Sequence, residues 1–511
     1  MAPLTGQFVS VSLTSNDRER PFVTTGDAWT AQGENAEMTA RQPYPFGILL
    51  ALCLAESTVT FETSMIFAAL PKLIRTFGDP FMAGQLVAVH PLVAAATAPV
   101  VGRLGDLWGR KSMVLITLSL ALIGSLISAY SEDFVLVLIG RAMQGFSVTV
   151  LSLGIGLLRE NLDMGRLPMS IGFLTTAQGL GSVMGLILGG MIVDNFSWHW
   201  LFVASAVLVG VSLLACWAWI PARKAPRLPF NIDWSEALLP MPAIALVMIA
   251  IGLTKTNPVL SAPVLGTLAA GLLIFAYWGR RALRASNPFI DLRLFTIRNF
   301  AVSNAATLLL AAGTMQVVYI LSAYIQSPLW TGVGLGMTAT AAGLAKIPSH
   351  CLTITAGPLV SWQASRFGHR SAVATSCLVA AIGWFYAMLL PGKLIEIVIL
   401  LMIVSYGTTM IVTALTNAVV DTVPEERTSE AVGTMLVVRG FGSAVGAQII
   451  AVTLSLFTIA DPHGGSLFPT AESYRLTMGW IAATTIVALA IGLLLPPGRR
   501  KVEPVAVLAG E

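Results

Sequence analysis

Seven ionisable side chains stand inside long apolar runs of this chain: Glu56, Glu62, His90, Arg141, Lys346, His350 and Arg439. A charge at the centre of a bilayer is costly when it faces lipid, so such residues face a cavity and find partners. Glu62 lies nine residues before Pro71, which ends its run. At 1.5 Å per residue that is roughly 13 Å, near mid-membrane. Apolar surroundings disfavour a carboxylate's charge and a nearby cation favours it, so a carboxylate between the two can take up and release a proton as access changes. Glu62 is therefore the first candidate for a proton carrier. Glu56, Arg141 and His90 complete the candidate proton-coupling set. Glu56 precedes Glu62 by six residues, about 240° around a helix, so the two do not share a face. Arg141 keeps its charge and can act only as a fixed counter-charge.

A second set could line a substrate cavity: Gln144, Gln178, Lys346, His350 and Arg439. Gln144 follows Arg141 by three residues and can hydrogen-bond a carboxylate or a substrate. Lys346 and His350 are an i,i+4 pair that suits an anionic group or a carboxylate from elsewhere in the chain. Bland readings stay open beside these: Glu56 or Glu62 as a structural hydrogen-bonding partner, Arg141–Gln144 as a structural pair, Lys346 as a snorkelling lysine. A third set lies in the turn Gly102-Arg103-Leu104-Gly105-Asp106-Leu107-Trp108-Gly109-Arg110-Lys111. It places one acid and three bases between two apolar runs. Asp106 and Arg110 can make and break contacts at helix ends, and Gly102 and Gly109 would permit close approach, which makes these four the candidate gate. A static loop anchor is the alternative.

The elements that must position these residues are membrane helices. The chain has 511 residues, 55% hydrophobic and 11% charged, with mean hydropathy +0.78. About fourteen runs reach the roughly 20 apolar residues that a span needs. They lie near 46–70, 83–102, 112–130, 134–158, 169–193, 198–220, 235–254, 259–279, 300–326, 336–362, 371–390, 394–418, 430–459 and 475–496. Barrel strands would alternate over about 10 residues instead. With the N-terminus inside and the loops alternating, the cytoplasmic side collects roughly 22 of the 30 Lys and Arg. The outer loops hold Lys72, Arg75, Lys255, Lys393 and Arg475. This asymmetry places both termini in the cytoplasm of a cell (inner or plasma) membrane protein.

The net charge of +4 gives no nucleic-acid footprint. Cys53, Cys216, Cys351 and Cys377 lie in apolar runs and read as small core residues. No phosphate-binding loop, metal-ligand spacing or nucleophile–base pair is present, so no cofactor, metal or enzymatic activity is expected. Residues 1–43 are polar and lack the apolar core of a signal peptide, and are expected to form a disordered cytoplasmic tail. The tail at 498–511 is expected on the same side.

The chain also repeats itself. Ile171-Gly172 through Gln178-Gly179-Leu180-Gly181-Ser182 to Gly185 aligns without a gap with Val432-Gly433 through Arg439-Gly440-Phe441-Gly442-Ser443 to Gly446. A like-oriented repeat eight spans apart fits two six-span halves separated by two extra spans. The expected divisions are 44–222 and 299–497 for the halves, with a linker at 223–298. Gly357-Pro358 and Arg366-Phe367-Gly368-His369-Arg370 echo the Gly102–Lys111 turn in the second half, without its Asp.

From about residue 43 onward the chain resembles the fourteen-span drug:proton antiporter branch of the major facilitator superfamily. The turn matches that family at Gly102, Leu104, Gly105, Asp106, Gly109, Arg110 and Lys111. Arg141-Ala142-Met143-Gln144-Gly145 matches its Arg-x-x-Gln-Gly element, and Glu62 to Ala69-Leu70-Pro71 resembles an element opened by Asp. Asn287-Pro288-Phe289-Ile290-Asp291-Leu292-Arg293-Leu294-Phe295 resembles a stretch typical of the branch. The resemblance implies an all-α polytopic protein: two pseudo-symmetric six-helix bundles plus two inserted helices. It implies proton-coupled export of amphipathic or hydrophobic small molecules by alternating access, with the turn latching the halves in one state. The expected partners are a small-molecule substrate, protons and the bilayer, and the working unit is a monomer. Gly185-Leu186-Ile187-Leu188-Gly189-Gly190 lacks the proline of the family's exporter element. A proton-coupled importer or uniporter is accordingly the alternative, and a non-transporting scaffold or sensor a more distant one.

Overall fold

The computed structural model describes residues 45–162, 166–221, 238–285, 290–424 and 427–497. The expected tails and Asn287–Phe289 lie outside the described residues. The apolar runs fold as helices. The first group is α1 (Pro45–Ala68), α2 (Leu70–Phe77), α3 (Pro80–Trp108), α4 (Arg110–Tyr130), α5 (Phe134–Gln144), α6 (Val150–Asn161), α7 (Leu167–Asn195) and α8 (His199–Trp219). Then come α9 (Pro240–Leu253) and α10 (Ala262–Arg284). The last group is α11 (Arg298–Ala312), α12 (Val317–Gln326), α13 (Ala339–Leu344), α14 (Ile347–Thr353), α15 (Ala356–Phe367), α16 (His369–Ala387), α17 (Leu394–Val420), α18 (Thr428–Leu456) and α19 (Ala471–Gly492). A two-stranded antiparallel hairpin, β1 (Thr458–Ala460) with β2 (Leu467–Pro469), precedes α19.

Local chemistry sets the helix ends. Asp79 caps α3 by accepting from Phe81 N at 2.7 Å and Met82 N at 3.1 Å, with Pro80 at the first helical position. Asp133 caps α5 through Leu136 N at 3.0 Å. Gly109, at φ +91°, and Gly368, at φ +85°, turn the chain between α3 and α4 and between α15 and α16. These are equivalent places in the two halves of the sequence repeat.

Among the described residues, twelve helices are long and apolar enough to cross a membrane. The other two expected spans differ. The run near 235–254 contributes the 14-residue helix α9. The run at 336–362, expected as one span, is three short helices, α13 to α15. Pro348 and Pro358 explain the breaks. Neither can donate to the carbonyl four residues back, and each ring crowds that carbonyl. The ladder tightens there, with Lys346 N bonding Gly343 O at 3.2 Å and Thr355 N bonding Leu352 O at 3.1 Å. The count of fourteen spans is thus not confirmed.

The repeat in sequence is a repeat in packing. α1 packs along α7, and α11 along α18. A Cβ on Gly181 would stand 2.1 Å from Ser57 O, and one on Gly185 2.8 Å from Phe61 O. A Cβ on Gly442 would stand 2.6 Å from Leu308 O, and one on Gly446 2.2 Å from Ala312 O. Both seams pair two glycines four apart with two carbonyls four apart. Only glycine lets the backbones come this close.

Helices before residue 222 meet those after 298 along α3 and α18, and again at the end that carries Phe67 and Gly78. There Phe67 O accepts from Ser322 Oγ and Gln326 Nε2, each at 3.0 Å. Leu467 N bonds Gly78 O at 2.8 Å, and Arg75 pairs with Asp461 at 3.3 Å. The exposed carboxylate of Asp194 accepts from Ala339 N at 3.0 Å and Thr340 N at 2.9 Å. The Gly102–Lys111 turn is at the other end of α3. Cys216 and Cys377 are buried as expected, Cys53 is half-buried, and Cys351 is exposed.

Candidate functional site

The Glu62 carboxylate is fully buried among α4, α5 and α8. Its Oε1 lies 2.7 Å from Ser205 Oγ, 3.1 Å from Gln144 Nε2 and 3.2 Å from Ser125 Oγ. Its Oε2 lies 3.0 Å from Ser147 Oγ. Arg141 does not reach the carboxylate directly. Its Nη1 donates to Gln144 Oε1 at 2.8 Å and to the Glu62 backbone O at 3.1 Å, and its Nε donates to Leu86 O at 3.2 Å. The guanidinium so ties α5 to α1 and α3. It also orients the Gln144 amide. Because Oε1 must face the guanidinium, Nε2 faces Glu62.

The hydroxyls around Glu62 have more acceptors than protons. Ser125 Oγ lies 2.8 Å from Ala121 O and 2.9 Å from Ser205 Oγ, besides Glu62. Ser147 Oγ lies 2.7 Å from Gln144 O. A hydroxyl donates one proton and accepts at two lone pairs. Each serine can therefore donate to a carboxylate, or turn away and accept from a carboxylic acid. The network satisfies either protonation state of Glu62 without moving a helix.

Backbone geometry makes room for this cluster. The expected span at 134–158 is α5 and α6 joined by a 3₁₀ segment, Gly145–Thr149. A Cβ on Gly145 would stand 2.7 Å from His90 O, so the glycine lets α3 approach the segment that carries Ser147. His90 is buried, and its Nε2 has no hydrogen-bond partner.

Glu56 has separate company, as its angle around α1 requires. Its Oε1 accepts from Gln178 Nε2 at 2.6 Å, while its buried Oε2 has no partner. The pair joins two residues from different candidate sets. In the second half the seam register puts Thr307 where Glu56 stands and Gly313 where Glu62 stands, and Arg439 replaces Gln178. The acids therefore have no counterparts there. Lys346 is buried just before α14, and His350 is half-buried one turn on. Arg439 is half-buried on α18. Neither Lys346 nor Arg439 has a hydrogen-bond or ion-pair partner among the described residues.

In the turn, Arg110 Nη2 meets Asp106 Oδ1 at 2.9 Å, and Arg110 Nη1 meets Glu160 Oε1 at 2.9 Å. Glu160 ends α6. Lys111 Nζ donates to Trp217 O at 2.8 Å and Ile220 O at 2.5 Å, closing the end of α8. A Cβ on Gly102 would meet nothing within 4 Å. The close approaches are at Gly105, where a Cβ would stand 2.6 Å from Leu153 Cδ2, and at Gly156, 2.5 Å from Arg110 Nε. The second half repeats the arrangement with a titratable base: His369 Nε2 lies 2.8 Å from Asp421 Oδ2.

A family profile, that of the Major Facilitator Superfamily, matches residues 52–447. The chain belongs to that superfamily. It is a membrane transporter by family, with the fold of that family. Two superfamily relatives cover most of its length. The cephamycin export protein CmcT of Amycolatopsis lactamdurans is 28% identical over 90% of this chain and 95% of its own. The multidrug efflux pump LfrA of Mycolicibacterium smegmatis is 24% identical over 83% of this chain and 84% of its own. A crystal structure of the peptide transporter POT in complex with sulfate shares the fold at a TM-score of 0.62 and 16% identity, over 88% of this chain and 93% of the other.

Several polar residues at these places escaped the sequence reading. Ser125, Ser147 and Ser205 are ordinary helix residues in one dimension, and only their convergence on Glu62 distinguishes them. Glu160 and Asp421 close helices at loops rich in charge. They stand at nearly equal distances after their turns, 51 residues from Gly109 and 53 from Gly368, and that spacing was the available signal.

Proposed function

We propose that this protein is a proton-coupled exporter of amphipathic or hydrophobic small molecules in the cell membrane, with both termini in the cytoplasm. Two bundles, 44–222 and 299–497, alternate access about the 223–298 linker. The observation that carries this reading is the Glu62 network: a buried carboxylate, adaptable hydroxyls on both oxygens, and a fixed guanidinium one amide away. That is the equipment of a proton carrier. Glu56–Gln178 adds a second buried acid, His90 an unpartnered imidazole, and Lys346, His350 and Arg439 give the substrate cavity its polar wall. The names of CmcT and LfrA favour outward movement over import. The joined end at Phe67–Gly78 and Asp194 supports a conformation closed to the outside.

A proton moving down 100 mV supplies about 2.3 kcal/mol. At 1.4 kcal/mol per tenfold, one proton per cycle sustains roughly a 50-fold substrate gradient. The test uses inverted vesicles, an imposed pH gradient and a panel of hydrophobic fluorescent dyes. Glu62→Gln should abolish uphill dye accumulation while dye-induced thermal stabilisation of the purified variant persists. Undiminished uphill transport by a well-expressed Glu62→Gln protein refutes the assignment.

A further inference from the structure

A cavity of about 370 Å³ lies beside the transport core, walled by Ala95 of α3, Ile244 of α9, Phe275 and Trp278 of α10, Asn304 of α11 and Phe441 of α18. The inserted pair thus forms a wall together with both halves. The lining is almost wholly apolar. Phe275 stacks on Phe441 with centroids 6.3 Å apart and meets Trp278 edge-on at 5.2 Å.

Asn304 is the exception. It is 1% exposed. Its Nδ2 donates to Phe300 O at 2.9 Å, which fixes the amide orientation. Its Oδ1 is buried and has no hydrogen-bond partner among the described residues. An acceptor left unmet in an apolar site carries its full desolvation penalty, which an occupant with a donor relieves. The other polar side chains of the lining are the Trp278 indole and Thr434, whose hydroxyl already donates to Glu430 O at 3.0 Å. Among the described residues no ionisable side chain lines the cavity, so none of them offers a charged occupant a counter-charge. The volume is within the range of small-molecule sites.

We propose that this cavity binds a neutral amphiphile dissolved in the bilayer, with an apolar body and one hydrogen-bond donor that meets Asn304 Oδ1. The site is distinct from the Glu62 cluster and does not depend on proton coupling, because binding is read without a gradient.

The test uses the full chain in lipid nanodiscs, with a bromine-bearing twelve-carbon alcohol and its methyl ether as probes. Bromine quenches tryptophan on contact, and Trp278→Phe identifies the part of the signal that arises in the cavity. In the natural protein that part should saturate, with the alcohol binding roughly five- to tenfold more tightly than the ether. Asn304→Leu should bring the two probes level, and Ala301→Phe, which puts a ring into the cavity that Ala301 of α11 also lines, should remove saturable quenching. Equal binding of alcohol and ether to the natural protein overturns the proposal, a result that needs no variant to fold. So does quenching that rises linearly with probe and survives Ala301→Phe. The same chemistry could belong to transported cargo or to a resident lipid. Competitive inhibition of dye export by the alcohol marks cargo, and unchanged dye export at full occupancy marks a resident ligand. Either result keeps the site.

Discussion

Asp194 offers a direct handle on the conformational equilibrium. Its two carboxylate oxygens accept from Ala339 N and Thr340 N, joining the end of α7 to the start of α13. In Asp194→Asn the amide keeps one acceptor and turns an NH₂ group toward the second backbone N–H. One charge-assisted bond is lost, an effect of about 1.5–3 kcal/mol when fully sheltered. Asp194 is exposed, so solvent screening reduces this to about 1–2 kcal/mol. At 1.4 kcal/mol per tenfold, the state closed at this end should lose roughly five- to thirtyfold in relative population. Ser322 reports on that state, since it is buried there against Phe67 O. The assay introduces Ser322→Cys with Cys351→Ser, because Cys351 is exposed and would react itself. Labelling from outside by a membrane-impermeant maleimide should accelerate by the same factor in Asp194→Asn. An unchanged rate in a variant that reaches the membrane normally would show that these bonds do not hold the outer end closed.

Gly181→Ala should lower thermal stability by about 1–3 kcal/mol, because its Cβ meets Ser57 O. Gly179→Ala, two residues away with nothing within 4 Å, is the control and should be neutral or slightly stabilising. Asp106→Asn should leave the melting temperature nearly unchanged, since the exposed Asp106–Arg110 pair is worth at most about 1 kcal/mol. Its turnover should nevertheless fall while substrate affinity holds, and unchanged turnover would make Asp106 a loop anchor. Reporter fusions after residue 80 should read as outside and those after residue 505 as inside, and an outside signal at residue 505 would reverse the proposed topology.

The helices were legible because a span is a one-dimensional property: length and apolarity suffice. Glu62, Arg141 and Gln144 were legible for a related reason, since a polar side chain inside such a run needs a partner. What the sequence hid was which partner. Arg141 was expected to act on a glutamate, and the structure interposes Gln144. Glu56 and Gln178 were assigned to different sets and form one pair. The break at 336–362 was visible in Pro348 and Pro358, but the run's overall length and apolar content read as one span. Gly102 shows the converse: its role was inferred from a spacing, whereas the tight contacts fall on Gly105 and Gly156.

The two glycine seams also determine where the molecule is stiff. A joint with no room for a methyl group has no slack, so α1 with α7, and α11 with α18, each move as a single beam. Bending is left to members without such a joint. Two such members are the 3₁₀ stretch after Gln144, immediately beside the Glu62 cluster, and the proline-cut chain from α13 to α15, which carries Lys346. Both carry or adjoin ionisable side chains, so a displacement at either one changes the surroundings of a charge. Load applied at Lys346 or at Glu62 therefore enters the frame at members that can yield.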